Sequence, residues 1–164
     1  MLAPAHQPRQ DGGAWDAPAR PEFRVPRLLA HFTAMKSLLL AAGFAGLAGV
    51  VLGAFGAHAL KAELAAHDGV EIWRTATLYH LVHAVAALAV VLAAGGPVSP
   101  PAAARLLRGA AVCWLAGIGA FSGSLYWLAL GGPKWLGPVT PVGGFALLAG
   151  WALVIASGWK GRAK

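Results

Sequence analysis

The chain has 164 residues, of which 58% are hydrophobic and 12% charged, and a formal net charge of +7. A soluble domain carries about 25% charged residues, so these side chains are too few to coat a water-soluble body of this size, and a soluble enzyme is excluded. The positive excess does not indicate a nucleic-acid partner, because the basic residues flank apolar runs instead of clustering into a patch.

Residues 1–34 hold Pro4, Pro8, Pro18, Pro21 and Pro26 together with Arg9, Arg20, Arg24 and Arg27, without a sustained apolar period. They read as a disordered tail. A second reading is that the start is set too far upstream, since Met35-Lys36 followed by an apolar run has the form of a natural beginning. A targeting segment is disfavoured by Asp11, Asp16 and Glu22, because such segments are poor in acids.

From Lys36 onward the charges are spaced as a bilayer requires. No Asp, Glu, Lys or Arg occurs between Lys36 and Lys61, Arg74 and Arg105, Arg108 and Lys134, or Lys134 and Lys160. Each gap accommodates the ~20 residues that cross ~30 Å of hydrocarbon as a helix. The expected spans are 37–57, 75–94, 109–130 and 140–158, in an all-α four-helix bundle covering residues 35–160 and followed by a basic tail at 161–164.

If Met35 is the start, the first span could pass for a secretory signal ending at Ala57-His58-Ala59, but its apolar stretch exceeds the usual ~7–15 residues, which favours a retained helix. Gly43, Gly46, Gly49, Gly53 and Gly56 fall within about 140° of its circumference, and Gly49 and Gly53 form a GxxxG pair. Such a stripe lets another backbone approach closely, from within the chain, from a second copy or from another membrane protein. The following segment contains Glu63, Asp68 and Glu71, and Lys61–His67 has the length of a short surface helix.

The second span opens at the interfacial pair Trp73-Arg74 and stops at Gly95-Gly96-Pro97. Pro100-Pro101 prepares the third, which ends before Gly131-Gly132-Pro133, with Trp127 and Trp135 suiting an aromatic belt. Thr140-Pro141 is expected to open the fourth span, Thr140 as cap and Pro141 at the first helical position. With four spans, Arg9, Arg20, Arg24, Arg27, Lys36, Arg105, Arg108, Lys160, Arg162 and Lys164 share one side, against Lys61, Arg74 and Lys134 on the other. The positive-inside rule then places both termini in the cytoplasm, in the cell membrane, which for a bacterium is the inner membrane.

Few polar groups lie at membrane depth: His58, Tyr79, His80, His83, Ser122, Ser124, Tyr126 and Thr140. Ionisable groups there are costly unless paired, and so are candidate functional residues. Tyr79, His80 and His83 share part of one helix face. His83 lies about 14 Å beyond Arg74 along the helix. One reading brings His58 and His83 together near the outer leaflet to hold a metal or haem or to relay a proton. The competing reading makes neutral histidines bridge helices by hydrogen bonds to Tyr, Ser or backbone carbonyls. Ser122 and Tyr126 are four apart, with Ser124 on another face; serines here usually bond back to their own helix or pack at an interface. Cys113, alone in the chain, reads as a small buried apolar residue. No nucleophile elbow, phosphate-binding Gly loop or catalytic carboxylate pair occurs.

Three blocks together resemble one known family: Gly53-Ala54-Phe55-Gly56-Ala57-His58-Ala59-Leu60-Lys61, then Tyr79 through His83-Ala84, then Phe121-Ser122-Gly123-Ser124-Leu125-Tyr126 continuing to Thr140-Pro141-Val142-Gly143-Gly144. The chain resembles, over about residues 35–160, the small membrane proteins called domain of unknown function 423, which include the eukaryotic transmembrane protein 256. The pattern matches at His58, Lys61, Tyr79, His83, Ser122, Ser124, Tyr126, Thr140 and Pro141, whereas His80 stands where the family usually has Gln. The resemblance implies a four-helix membrane protein and no particular activity or cofactor. Three functions remain open. The first is a non-enzymatic bundle that packs with other membrane proteins through its first helix. The second is a metal or haem redox protein using His58 and His83, with or without His80. The third is a small-solute transporter or channel acting as an oligomer.

Overall fold

The structure, a computed structural model, describes residues 25–96 and 99–160, with side chains from Met35 onward. All regular elements among these residues are helical. They are α1 (Val25–Ala57), the short α2 (Lys61–Ala66), α3 (Val70–Gly95), α4 (Pro101–Gly117), a π-turn (Ile118–Ser122), α5 (Gly123–Ala129), a single 3₁₀ turn (Lys134–Leu136) and α6 (Val139–Lys160). Among the described residues, four stretches are long and apolar enough to cross a membrane: 35–57, 70–95, 101–129 and 134–160. The α4, π-turn and α5 segments form one continuous third span.

Two boundaries differ from expectation. The first helix already begins at Val25, so the last ten residues of the tail, 25–34, are helical and not disordered. Pro26 falls in the first turn, where no intrahelical N–H is required, and Leu28, Leu29, Ala30 and Ala34 are good helix formers. The expectations for residues 1–24 and 161–164 fall outside the described residues. At the fourth span α6 opens at Val139, so Thr140 lies within the first turn and not at the cap. Its hydroxyl turns sideways to Ser124 on α5 instead. The short helix expected near Lys61–His67 is present as α2.

The spans run up, down, up, down: α1 packs along α3, α3 against the third span, and the third span against α6. The α1–α3 pairing is built on small residues. A Cβ at Gly49 would meet Leu81, one at Gly53 would meet Thr77, and one at Gly56 would fall onto the Trp73 indole. Three of the five stripe glycines are thus used inside the chain, while Gly43 and Gly46 have nothing within 4 Å. In the other helix pair Gly117 and Gly143 let α6 approach the third span so closely that a Cβ at Gly143 would overlap the Phe121 backbone.

The same device locks both helix pairs. The Trp73 indole N–H donates to the Leu52 carbonyl of α1 at 3.0 Å, and the Trp114 indole N–H donates to the Leu147 carbonyl of α6 at 3.1 Å. Each carbonyl is already an acceptor within its own helix, and its second lone pair is normally shielded by a side chain one turn on. Here that position is glycine: Gly56 lies four residues after Leu52 and Gly150 three after Leu147, and a Cβ at either would fall onto the indole. The indole therefore reaches the backbone only because the side chain is missing.

Two clusters of buried residues form the core. One joins all four spans around Ala42, Ala87, Val91, Ala110, Ala111, Trp114 and Leu147. The other closes the end near α2, where Leu64, 1% exposed, sits over Trp73, Ala76, Tyr126 and Ala129. The link into α3 is held close to the third span, since a Cβ at Gly69 would overlap the Ala129 carbonyl.

Gly56→Leu drives a branched side chain into the Trp73 ring and is expected to destabilise the bundle by about 1–3 kcal/mol, typical of an overpacked interior. Gly158→Leu, at a site with nothing within 4 Å, should be silent. Thermal unfolding of both variants in mild detergent compares them.

Candidate functional site

The polar residues singled out in the sequence do not form one site. They divide into three groups along the bundle, with two residues left apart.

The first group links α3 to the third span near α2. Thr77 Oγ1 donates to the Trp73 carbonyl at 3.0 Å, and Tyr126 OH donates to Thr77 Oγ1 at 3.3 Å. His80 Nδ1 lies 3.3 Å from Tyr126 OH. His80 Nε2 is buried on the side of the Ala45 backbone of α1, without a well-formed hydrogen bond among the described residues. The ring faces α1, since a Cβ at Gly49 would lie 3.3 Å from His80 Cδ2. The Trp73 and Tyr126 rings pack at 4.6 Å.

The second group lies deeper. His83 Nδ1 donates to the Tyr79 carbonyl one turn back at 2.8 Å. Its Nε2 accepts from the Trp151 indole of α6 at 3.2 Å. Tyr79 stacks on the His83 ring, with centroids 5.8 Å apart and planes 20° apart. Trp114 and Trp151 both meet that imidazole edge-on. With these two bonds His83 joins α3 to α6 across the third span.

The third group is the pair Ser124 and Thr140, 2.8 Å apart, with Ser124 also donating to the Phe121 carbonyl at 2.9 Å. Thr140 is then the donor between them, tying α5 to α6. Ser122, in the π-turn and fully buried, has no hydrogen-bond partner for its hydroxyl among the described residues.

His58 and Lys61 stand apart. His58 is exposed in the turn after α1, and Lys61 is exposed at the start of α2. The reading that pairs His58 with His83 is not met. Gly56 faces Trp73, and His83 lies ten residues further along α3, about 15 Å away at helical rise. The antiparallel register that the glycines impose separates the two. His83 moreover has both nitrogens engaged by protein partners. Among the described residues no three His, Cys, Asp or Glu side chains converge as a metal would need.

Four contributors went unrecognised from sequence: Trp73, Trp114, Trp151 and Thr77. Trp73 read as an interfacial anchor, but its N–H is directed inward. Trp114 carried a usable signal, because an indole in mid-span must find an acceptor for its N–H.

The geometry is that of a multi-pass α-helical membrane protein whose interior polar groups chiefly join helix to helix. A family model described as "Protein of unknown function (DUF423)" matches residues 52–144. The chain is 37% identical over 118 residues to the inner membrane protein YgdD of Escherichia coli, covering 72% of this chain and 86% of the relative. It is 35% identical over 133 residues to the membrane protein YwdK of Bacillus subtilis, covering 77% and 98%. A membrane protein of Schizosaccharomyces pombe is 34% identical over 120 residues, covering 70% and 94%. The chain belongs to the DUF423 family. No solved structure matches it.

The Ser124–Thr140 bond is expected to couple by about 0.6 kcal/mol, the usual size for an interhelical hydrogen bond within a membrane. A double-mutant cycle of Ser124→Ala and Thr140→Val, followed by unfolding in detergent, measures it.

Proposed function

We propose that this protein is a non-enzymatic component of the membrane that packs against other membrane helices through its first span. The observation that supports this most is the uneven burial of the spans. Only 11% of the most apolar window of the first span is buried within the fold, the least of the four, against 33%, 39% and 17% for the second, third and fourth. Its outer face carries Leu40, Phe44, Leu47 and Val50, each more than half exposed. Gly43 and Gly46 remain open on the same helix, where a second helix can approach closely. The interior polar groups favour the same reading, since His83, Tyr126, Ser124 and Thr140 are engaged in holding the bundle together.

The name of the Escherichia coli relative and the distribution of Lys and Arg support a bacterial inner-membrane location with both termini in the cytoplasm. A reporter active only in the cytoplasm, fused after Lys164, is expected to be active. An inactive fusion, with an active one in the loop before Val70, would reverse the orientation.

The packing reading is tested in native membranes with Cys113→Ala as background. Gly43→Cys and Gly46→Cys are expected to form disulfide-linked adducts, whereas Ala42→Cys, buried against the core, should not. An adduct of twice the chain mass identifies a second copy, and any other mass identifies a different membrane protein. Absence of adducts at both 43 and 46 would overturn the proposal.

A further inference from the structure

The lipid-facing side of the bundle holds a groove of about 410 Å³ between α3, the π-turn and α6. Tyr79, His83, Phe121, Gly144, Phe145 and Trp151 form most of its wall. The volume falls within the usual ~300–1,000 Å³ of small-molecule sites, which are apolar with a few placed polar groups. Its mouth opens outward, with Phe145 71% and Tyr79 41% exposed.

Three features distinguish this groove from ordinary lipid-covered surface. First, its flanks are aromatic: Tyr79 and Phe121 meet at 4.7 Å, with Phe145 and Trp151 on the α6 side. Flat aromatic walls suit a planar ring better than a flexible acyl chain. Second, a polar group lies on the wall. The Tyr79 hydroxyl has no hydrogen-bond partner among the described residues. A hydroxyl left unpaired in hydrocarbon is costly, and this one is suited to donate to an oxygen acceptor. The Trp151 indole, its N–H engaged by His83, lines the opposite side as an apolar face. Third, Phe121 is carried by the π-turn, and such turns inside helices recur at functional sites.

We propose that the groove binds a lipid-soluble planar ring bearing a carbonyl oxygen, of the quinone class. The ring lies between Phe121 and Phe145, beside the Trp151 indole, and the oxygen accepts from the Tyr79 hydroxyl. The ligand enters sideways from the bilayer. The site is separate from the open face of α1 and does not depend on the packing reading.

The full chain in nanodiscs, with its indoles labelled with ¹⁵N, is titrated with decylubiquinone. The Trp151 indole resonance is expected to shift saturably, while those of Trp135 and Trp159 do not. Decylbenzene, which has a similar tail and ring without carbonyls, should leave Trp151 unmoved. Gly144→Leu fills the groove without strain, because a Cβ there makes only an ordinary 3.8 Å contact with Phe121; it should abolish the shift. Tyr79→Phe should weaken binding about fivefold, the loss of one hydrogen bond. A linear, non-saturating shift, an equal shift with decylbenzene, or an unchanged titration in Gly144→Leu that keeps the native indole spectrum would each overturn the proposal. As a second readout, an azido-quinone should label the peptide around Gly144–Trp151 in the native chain; labelling spread evenly over all lipid-facing segments would contradict it.

Discussion

Hydrocarbon offers no hydrogen bonds, so an indole, hydroxyl or imidazole within the bilayer is stabilised by a partner inside the protein. In this bundle that constraint is met chiefly by two tryptophans whose N–H groups dock onto carbonyls of the neighbouring helix, Trp73 onto Leu52 and Trp114 onto Leu147. Each docking depends on a glycine beside the acceptor, Gly56 or Gly150. The glycine does two things at once: it brings the helices close and exposes a carbonyl lone pair. One contact of this kind joins the first span to the second and the other joins the third to the fourth. The two pairs are then held to each other by Tyr126, Thr77 and His80 at one level and by His83 and Trp151 at another.

The register set by these contacts governs the placement of everything else. It carries Trp73 to Gly56 and thereby leaves His58 in an exposed turn, far from His83. It directs His83 toward α6, where its second nitrogen meets Trp151, and places Tyr79 and Phe121 side by side on the outer surface. The aromatic groove and the interior network therefore share residues: His83 bridges helices with its nitrogens and presents its ring at the wall of a lipid-facing cavity. The first span, fastened along only one face, is left with its opposite side toward the membrane.

The number of spans and their approximate limits were legible because a bilayer converts directly into sequence: charge-free gaps of about the length of one crossing, with Gly-Pro breaks between them. The stripe of glycines was also legible, but not its division, since composition cannot say that Gly49, Gly53 and Gly56 face α3 while Gly43 and Gly46 do not. Ser124 and Thr140 stood out as polar residues, yet Ser124 follows a π-turn that changes the helix phase before it. The residues of that turn, Ile118-Gly119-Ala120-Phe121-Ser122, show nothing that separates them from ordinary helix. The pairing of His58 with His83 failed for a related reason, because depth in an antiparallel bundle is set by contacts elsewhere. Thr140 resembled a helix cap because its neighbour is proline, but the helix begins one residue earlier and frees the hydroxyl for Ser124.

The most direct test of this account is a double-mutant cycle on Trp114 and Gly150, read as unfolding free energy in mild detergent. Gly150→Ala alone should cost about 1–3 kcal/mol, because its methyl displaces the indole. In a Trp114→Leu background the same substitution should cost little, leaving a coupling of about 1 kcal/mol or more. Additivity of the two changes to within about 0.3–0.5 kcal/mol would show that indole and glycine act independently, and would contradict the view that glycine-exposed carbonyls hold the bundle together.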